Sequence, residues 1–189
     1  MTAQAAQPDG PKAGPSGLVL PHTQFSRLAD RVIGFFGEIS SWLWTVLMLL
    51  IVYQVVQRYV FSKGSIKLEE MQWHLYAVGI MLGLAFTEIR ERHVRIDVLA
   101  EHWPVERRLW IELAGLIFLL LPFAAFMIWY AVPFVITSWR LNEISAAPDG
   151  LPYRWALKSF IVTSFVLLVL AGLSRLTRVW AALRQVSRG

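Results

Sequence analysis

The chain contains no cysteine. That excludes disulfides, thiolate metal sites and cysteine nucleophiles. Charge is scarce too: 16% of the 189 residues are Asp, Glu, Lys or Arg, where a soluble domain carries about a quarter. There are four histidines, His22, His74, His93 and His102. Only His74 falls in a long apolar run, near its end, so the facing pair that would hold a haem inside a bilayer is missing. The sequence has no Walker loop, no nucleophile elbow and no HExxH pair. It also lacks an obvious repeat of the kind that builds a complete transporter core. Catalytic residues and cofactors are therefore not expected.

What is present is apolar. The hydrophobic share is 56%, with nine tryptophans, and the net charge is +5. Four runs reach or approach the length of about 20 residues that crosses a bilayer as a helix. They are Ile39 to Phe61, Met71 to Thr87, Trp110 to Trp139 and Trp155 to Leu173. The expected fold is an all-α membrane protein with four spans. The third run is longer than a perpendicular helix needs and contains Pro122 and Pro133. Each proline removes a helix hydrogen bond, which predicts a tilted, bent rod. Lys158 falls in the first turn of the fourth run, where its ammonium can snorkel to the interface. Residues 1–29, rich in Pro, Gly and Ala, read as a disordered tail. The apolar "LVL" within them is too short for a signal peptide. Residues 30–178 form the membrane domain, and residues 179–189 a basic C-terminal tail.

Orientation follows from the basic residues. Lys12, Arg27 and Arg31 precede the first run. Arg90, Arg92, Arg95, Arg107 and Arg108 lie between the second and third. Arg175, Arg178, Arg184 and Arg188 follow the fourth. These twelve of the 18 basic residues share one side, so the positive-inside rule puts both termini in the cytoplasm. The charged stretch "RERHVRIDVLAE", Arg90 to Glu101, is then a cytoplasmic loop. Asp97 suits the N-cap of a short interfacial helix running to Trp103, whose Leu99 and Trp103 share a face. Pro104 suits the first turn of the third helix. His93, Asp97, Glu101 and His102 do not form a zinc spacing, and a solvated interfacial loop is the better reading. Arg92, Arg95, Arg107 and Arg108 suit anionic lipid headgroups.

Ionisable residues near the bilayer sit at the edges of the runs: Glu38, Arg58, Glu69, Glu70, Glu88 and Glu112. None is a mid-membrane carboxylate of the kind a small proton-coupled exporter needs. Glu38 is the only weak candidate for that alternative, an autonomous homodimeric exporter. Gln54, Gln57 and Arg58 share one helix face. Opposite charge at matched depth predicts that Arg58 pairs with Glu69 or Glu70, clamping the first two helices. "GIMLG", with Gly79 and Gly83, permits close helix contact within the chain or with a partner.

"RYVF" at the end of the first run, the acidic pair Glu69–Glu70, "LG" late in the second run and "HVRIDVL" in the loop occur here in this order. In that combination the chain resembles the small permease subunit of tripartite ATP-independent periplasmic (TRAP) transporters, from about Asp30 to Arg178. "EEMQWHLYAVGIMLG", "LLPF", "PFVITSW" and "DGLPYRWALK" resemble a branch that accompanies organic-acid systems, including 2-oxo acids. Many members carry a tryptophan shortly before the acidic pair, where this chain has Lys67. The resemblance implies a bacterial inner-membrane subunit that binds no metal and performs no chemistry. It implies a large permease subunit, which carries the substrate and sodium sites, and a periplasmic solute-binding protein as partners. It also implies a structural role for His93 and Asp97 at the cytoplasmic interface. The outer loop, Arg140 to Trp155, would border the docking site of the binding protein.

Overall fold

The structure, a computed structural model, describes residues 20–90, 103–148 and 150–186. They form four helices: α1 Gln24–Val60, α2 Ile66–Ile89, α3 Val105–Arg140 and α4 Arg154–Val186. No strand occurs among the described residues. Three helices, α1, α3 and α4, are long and apolar enough to cross a membrane. The four expected spans thus differ in quality. At 24 residues, α2 is about 36 Å long at 1.5 Å per residue. Its first half, however, carries Lys67, Glu69, Glu70, Gln72 and His74, which dilute its hydropathy.

Helix α1 starts well before its apolar run. Thr23 caps it with a reciprocal box: its Oγ1 accepts from the Ser26 amide at 3.1 Å, and the Ser26 Oγ accepts from the Thr23 amide at 3.0 Å. Residues 24–29, assigned to the tail from composition, are therefore its first turns. Ser26, Ala29, Ile33, Gly37, Ser40, Leu47 and Gln54 make a buried stripe at helical spacing down its length. Likewise α4 runs to Val186, through most of the stretch read as a tail.

In α3 the break takes a defined form. An α-helical segment, Val105–Gly115, passes into a π turn, Leu116–Leu120, and returns to α-helix over Leu121–Arg140. The Leu121 amide donates to the Leu116 carbonyl, five residues back. Pro122 follows at the start of the last segment. It has no amide to donate, and the wider turn absorbs that loss. Pro133 lies within continuous helix.

α4 is the helix the others share. α1 packs mainly on α2 and α3 mainly on α4, while α4 also touches α1 and α2. One core cluster joins Leu109, Leu113 and Leu116 of α3 to Val179, Ala182 and Leu183 of α4, with Leu20 beside them. The other joins Ile33, Leu82, Ala85, Leu167 and Ala171. Lipid tails are as apolar as leucine, so close approach and hydrogen bonds must hold such helices together. Both occur here. Ser40 Oγ donates to the Gly79 carbonyl at 2.8 Å, and Ser164 Oγ to the Met81 carbonyl at 2.6 Å. The Thr23 and Thr177 hydroxyls lie 3.1 Å apart. That contact puts the start of α1 and the C-terminal half of α4 at one end of the bundle.

Gly37 marks the tightest approach of α1 and α2. A Cβ there would lie 2.1 Å from the Phe86 ring, whereas one at Gly34 meets nothing within 4 Å. Gly37→Ala should therefore cost about 1–3 kcal/mol through overpacking. Gly34→Ala should be neutral or stabilise by up to about 1 kcal/mol through helix propensity. Detergent-titrated unfolding of the two variants distinguishes these outcomes. Equal stability would contradict the packing.

Candidate functional site

Polar side chains gather at the two ends of the bundle, and each gathering joins several helices. At the end that holds both described termini, Arg175 of α4 is 4% exposed. Its Nε donates to Glu112 of α3 and lies 4.0 Å from Glu88 of α2. Burial of an arginine demands such partners, since a lone buried charge costs several kcal/mol. Ser174 Oγ beside it donates to Asp30 of α1 at 3.0 Å, so all four helices meet here. Sequence reasoning placed Arg175 among the topology arginines and left Glu88 and Glu112 as edge residues. The signal was available: each lies within a turn or so of the end of its apolar run, at one predicted depth. Glu88, Glu112 and Arg175 also form the polar end of a cleft of about 630 Å³, otherwise lined by apolar residues such as Leu84, Leu120, Phe123 and Leu168.

At the other end, Glu70 opens α2 and reaches the α3–α4 loop. Its carboxylate accepts from the Ser145 hydroxyl and from the Leu151 amide, the latter at 2.6 Å. The loop closes on itself through Ser145 N–H donating to the Leu151 carbonyl at 3.1 Å. Glu143 anchors its flank. It accepts from the Lys158 ammonium and lies 3.8 Å from the Arg154 guanidinium. The same ammonium sits 3.9 Å from the Phe134 ring centroid, a cation–π contact. Lys158 is thus neutralised in place. Leu141, Ile144 and Tyr153 remain exposed on this tied loop.

The expected site residues fall as follows. Gln54 is buried and its amide oxygen accepts from Gln72, so an amide bridge joins α1 and α2 at this depth. Gln57 donates to the Tyr53 hydroxyl of its own helix at 3.0 Å. Arg58 and Glu69 line one cleft, yet neither makes an ion pair among the described residues. Glu70 is engaged with the loop instead. Of the two carboxylates expected to meet Arg58, Glu70 is turned toward Leu151 and Glu69 shares the clefts of Arg58, while the Gln54–Gln72 bridge joins the same two helices. Gly79 packs against Trp44 and Gly83 against Ser40, so the GxxxG face serves α1–α2 contact within the chain. Arg107 stacks over Trp103, 5.7 Å from the ring centroid, and Arg108 occupies the first turn of α3. Arg92, His93, Arg95 and Asp97, and with them the expected interfacial helix, lie outside the described residues. Among the described residues no three His, Asp or Glu side chains converge on a metal position. Glu38 is on the exposed side of α1, outside any enclosed path.

The Glu143 carboxyl is held below the usual carboxylate range, foremost by the hydrogen bond from Lys158 and further by the charges of Lys158 and Arg154. A lowered folded-state pKa contributes stability above the unfolded value and loses it as pH falls through the folded one. The stability gap between the wild-type chain and Glu143→Gln should hold constant from about pH 7 to about pH 5. It should close only below the ordinary glutamate value of about 4.3. Thermal unfolding across that range checks this, and a gap independent of pH would contradict it.

No curated protein matches the chain. A family model does, over residues 47–182, described as the DctQ component of tripartite ATP-independent periplasmic transporters. The match covers the last 14 residues of α1, all of α2 and α3 and nearly all of α4. It leaves no support for an autonomous exporter, since the family is one component of a multi-part system. The chain belongs to the DctQ family, the small inner-membrane permease component of TRAP transporters.

Proposed function

We propose that this chain is a bracing subunit. It packs on the large permease subunit and widens its static frame while the large subunit carries out sodium-coupled uptake of an organic acid delivered by a periplasmic binding protein. One observation carries the reading. The carboxylates Glu112, Glu70 and Glu143 tie elements together at the two ends, and between the ends the hydroxyls of Ser40 and Ser164 donate to carbonyls of a neighbouring helix. Such a subunit holds shape and does not itself translocate solute. Its outward surface fits the role. Trp42, Phe118 and Trp129 are each more than 70% exposed, an apolar covering suited to lipid and to partner helices.

Both termini lie in the cytoplasm on this reading. The end that holds both described termini also holds Arg27, Arg31, Arg90, Arg107, Arg108, Arg178 and Arg184, as the positive-inside rule requires. Arg107 over Trp103 and Arg184 over Trp180, 5.5 Å from the ring centroid, resemble interfacial anchors. On this reading Arg92, His93, Arg95 and Asp97 meet lipid headgroups or the large subunit. The Glu70-tied loop then faces the periplasm, and its exposed Leu141, Ile144 and Tyr153 border the place where the binding protein docks.

Extraction of the tagged chain from native membranes in mild detergent tests this. A much larger polytopic membrane protein should co-purify at one-to-one ratio. Recovery of the chain alone or as a homodimer would contradict the bracing role.

A further inference from the structure

The outer ends of α1 and α2 hold a feature that the scaffold reading does not use. Arg58, Ser62, Ser65 and Glu69 line a cleft of about 500 Å³ at the α1–α2 turn. A second cleft, of about 390 Å³, shares Arg58 and Glu69 with the first. It continues along Ile51 and Val55 of α1 and is flanked by Tyr59 and Trp73. Ile51 lies two helical turns before Arg58, so this second cleft leads about 10 Å toward the bilayer centre. Together they make one groove with a charged mouth and a floor that is apolar at Ile51 and Val55 and carries the Gln54–Gln72 amide bridge beside them.

The charge pattern selects an occupant. A cation and an anion line the same mouth, and neither makes an ion pair among the described residues. Both are exposed, as are Tyr59 and Trp73. Tyrosine and tryptophan at a helix end mark headgroup depth. A free inorganic anion would use Arg58 but not the apolar floor. An anionic lipid would use the floor but meet Glu69 unfavourably. A headgroup carrying both a phosphate and a primary amine satisfies all three: phosphate on Arg58, amine on Glu69, acyl chain along Ile51 and Val55. We propose that this groove binds one amine-bearing zwitterionic phospholipid, of the ethanolamine type, from the leaflet at that end. The site stands apart from the bracing role, because it requires only this chain and a bilayer.

The test uses the full chain with whatever partners co-purify, reconstituted into vesicles of phosphatidylethanolamine and phosphatidylglycerol in equal parts. After re-extraction, mass spectrometry counts the lipid retained per chain. Wild type should retain phosphatidylethanolamine in preference. Arg58→Gln should lower that retention about tenfold, the worth of a charge-assisted contact. Glu69→Gln should abolish the preference while phosphatidylglycerol is still retained. Glu38→Gln, on the exposed side of α1 away from the groove, should behave as wild type. Retention and preference that are unchanged in both groove variants would overturn the proposal. A second arm exploits the absence of cysteine. Val55→Cys introduces a single thiol, to which a photo-crosslinker is attached in native membranes. Capture of phospholipid supports the site, and capture of another protein chain in its place overturns it.

Discussion

An arginine that is 4% exposed, on a helix with no other charge for the 16 residues before it, has to be answered by carboxylates from elsewhere. In this protein they come from two other helices. Glu112 on α3 and Glu88 on α2 converge on Arg175 of α4, and Asp30 of α1 reaches the neighbouring Ser174. At the edge of a medium of low dielectric such contacts are strong, and each partner is costly to leave alone. The tie therefore sets the height of α2 and α3 against α4 at one end. The opposite end is set in the same way by weaker, partly solvated contacts: Glu70 on the loop amide of Leu151, and Glu143 on Lys158.

Between the two ends the bundle has little polarity to work with and holds by fit. Gly37 gives way to the Phe86 ring, Gly172 to Leu120, and Gly79 to Trp44. Hydroxyls of Ser40 and Ser164 reach carbonyls of the neighbouring helix, where no water competes for them. The π turn before Pro122 belongs to the same logic. A proline that cannot donate in the middle of a span is tolerated because the preceding turn widens and the Leu121 amide finds Leu116. A frame fixed at both ends and closely fitted between them suits a subunit that supports a moving partner more than one that moves.

The helices were legible because their apolar runs are long and turn residues separate them. The extent of α1 was less so. Its first four turns mix Arg27, Asp30, Arg31 and Glu38 with apolar residues, and composition hides a buried stripe that spacing would have revealed at Ser26, Ala29, Ile33 and Gly37. The GxxxG face was legible as a packing face, but its partner, α1 of the same chain, was not. Which of Glu69 and Glu70 shares a cleft with Arg58 was not legible either. Depth along a helix can be read from sequence, whereas azimuth about the axis depends on which neighbour is there. Arg58 and Glu70 share a depth, but Glu70 is turned toward Leu151. Arg175 was hidden differently: a count of basic residues treats every arginine beyond a span as a topology signal, including one that folds back into the core.

The Arg175 tie is the element on which both the fold and its rigidity rest. Its direct test compares Arg175→Leu alone with the same change combined with Glu88→Gln and Glu112→Gln, by unfolding in detergent. Losing the guanidinium alone takes from Glu88 and Glu112 the cation they share and should cost about 3–5 kcal/mol. Neutralising all three should recover most of that loss, since the charges of the tie are then removed together. A single variant as stable as wild type, or a triple variant no more stable than the single, would show that the bundle is held together by something else.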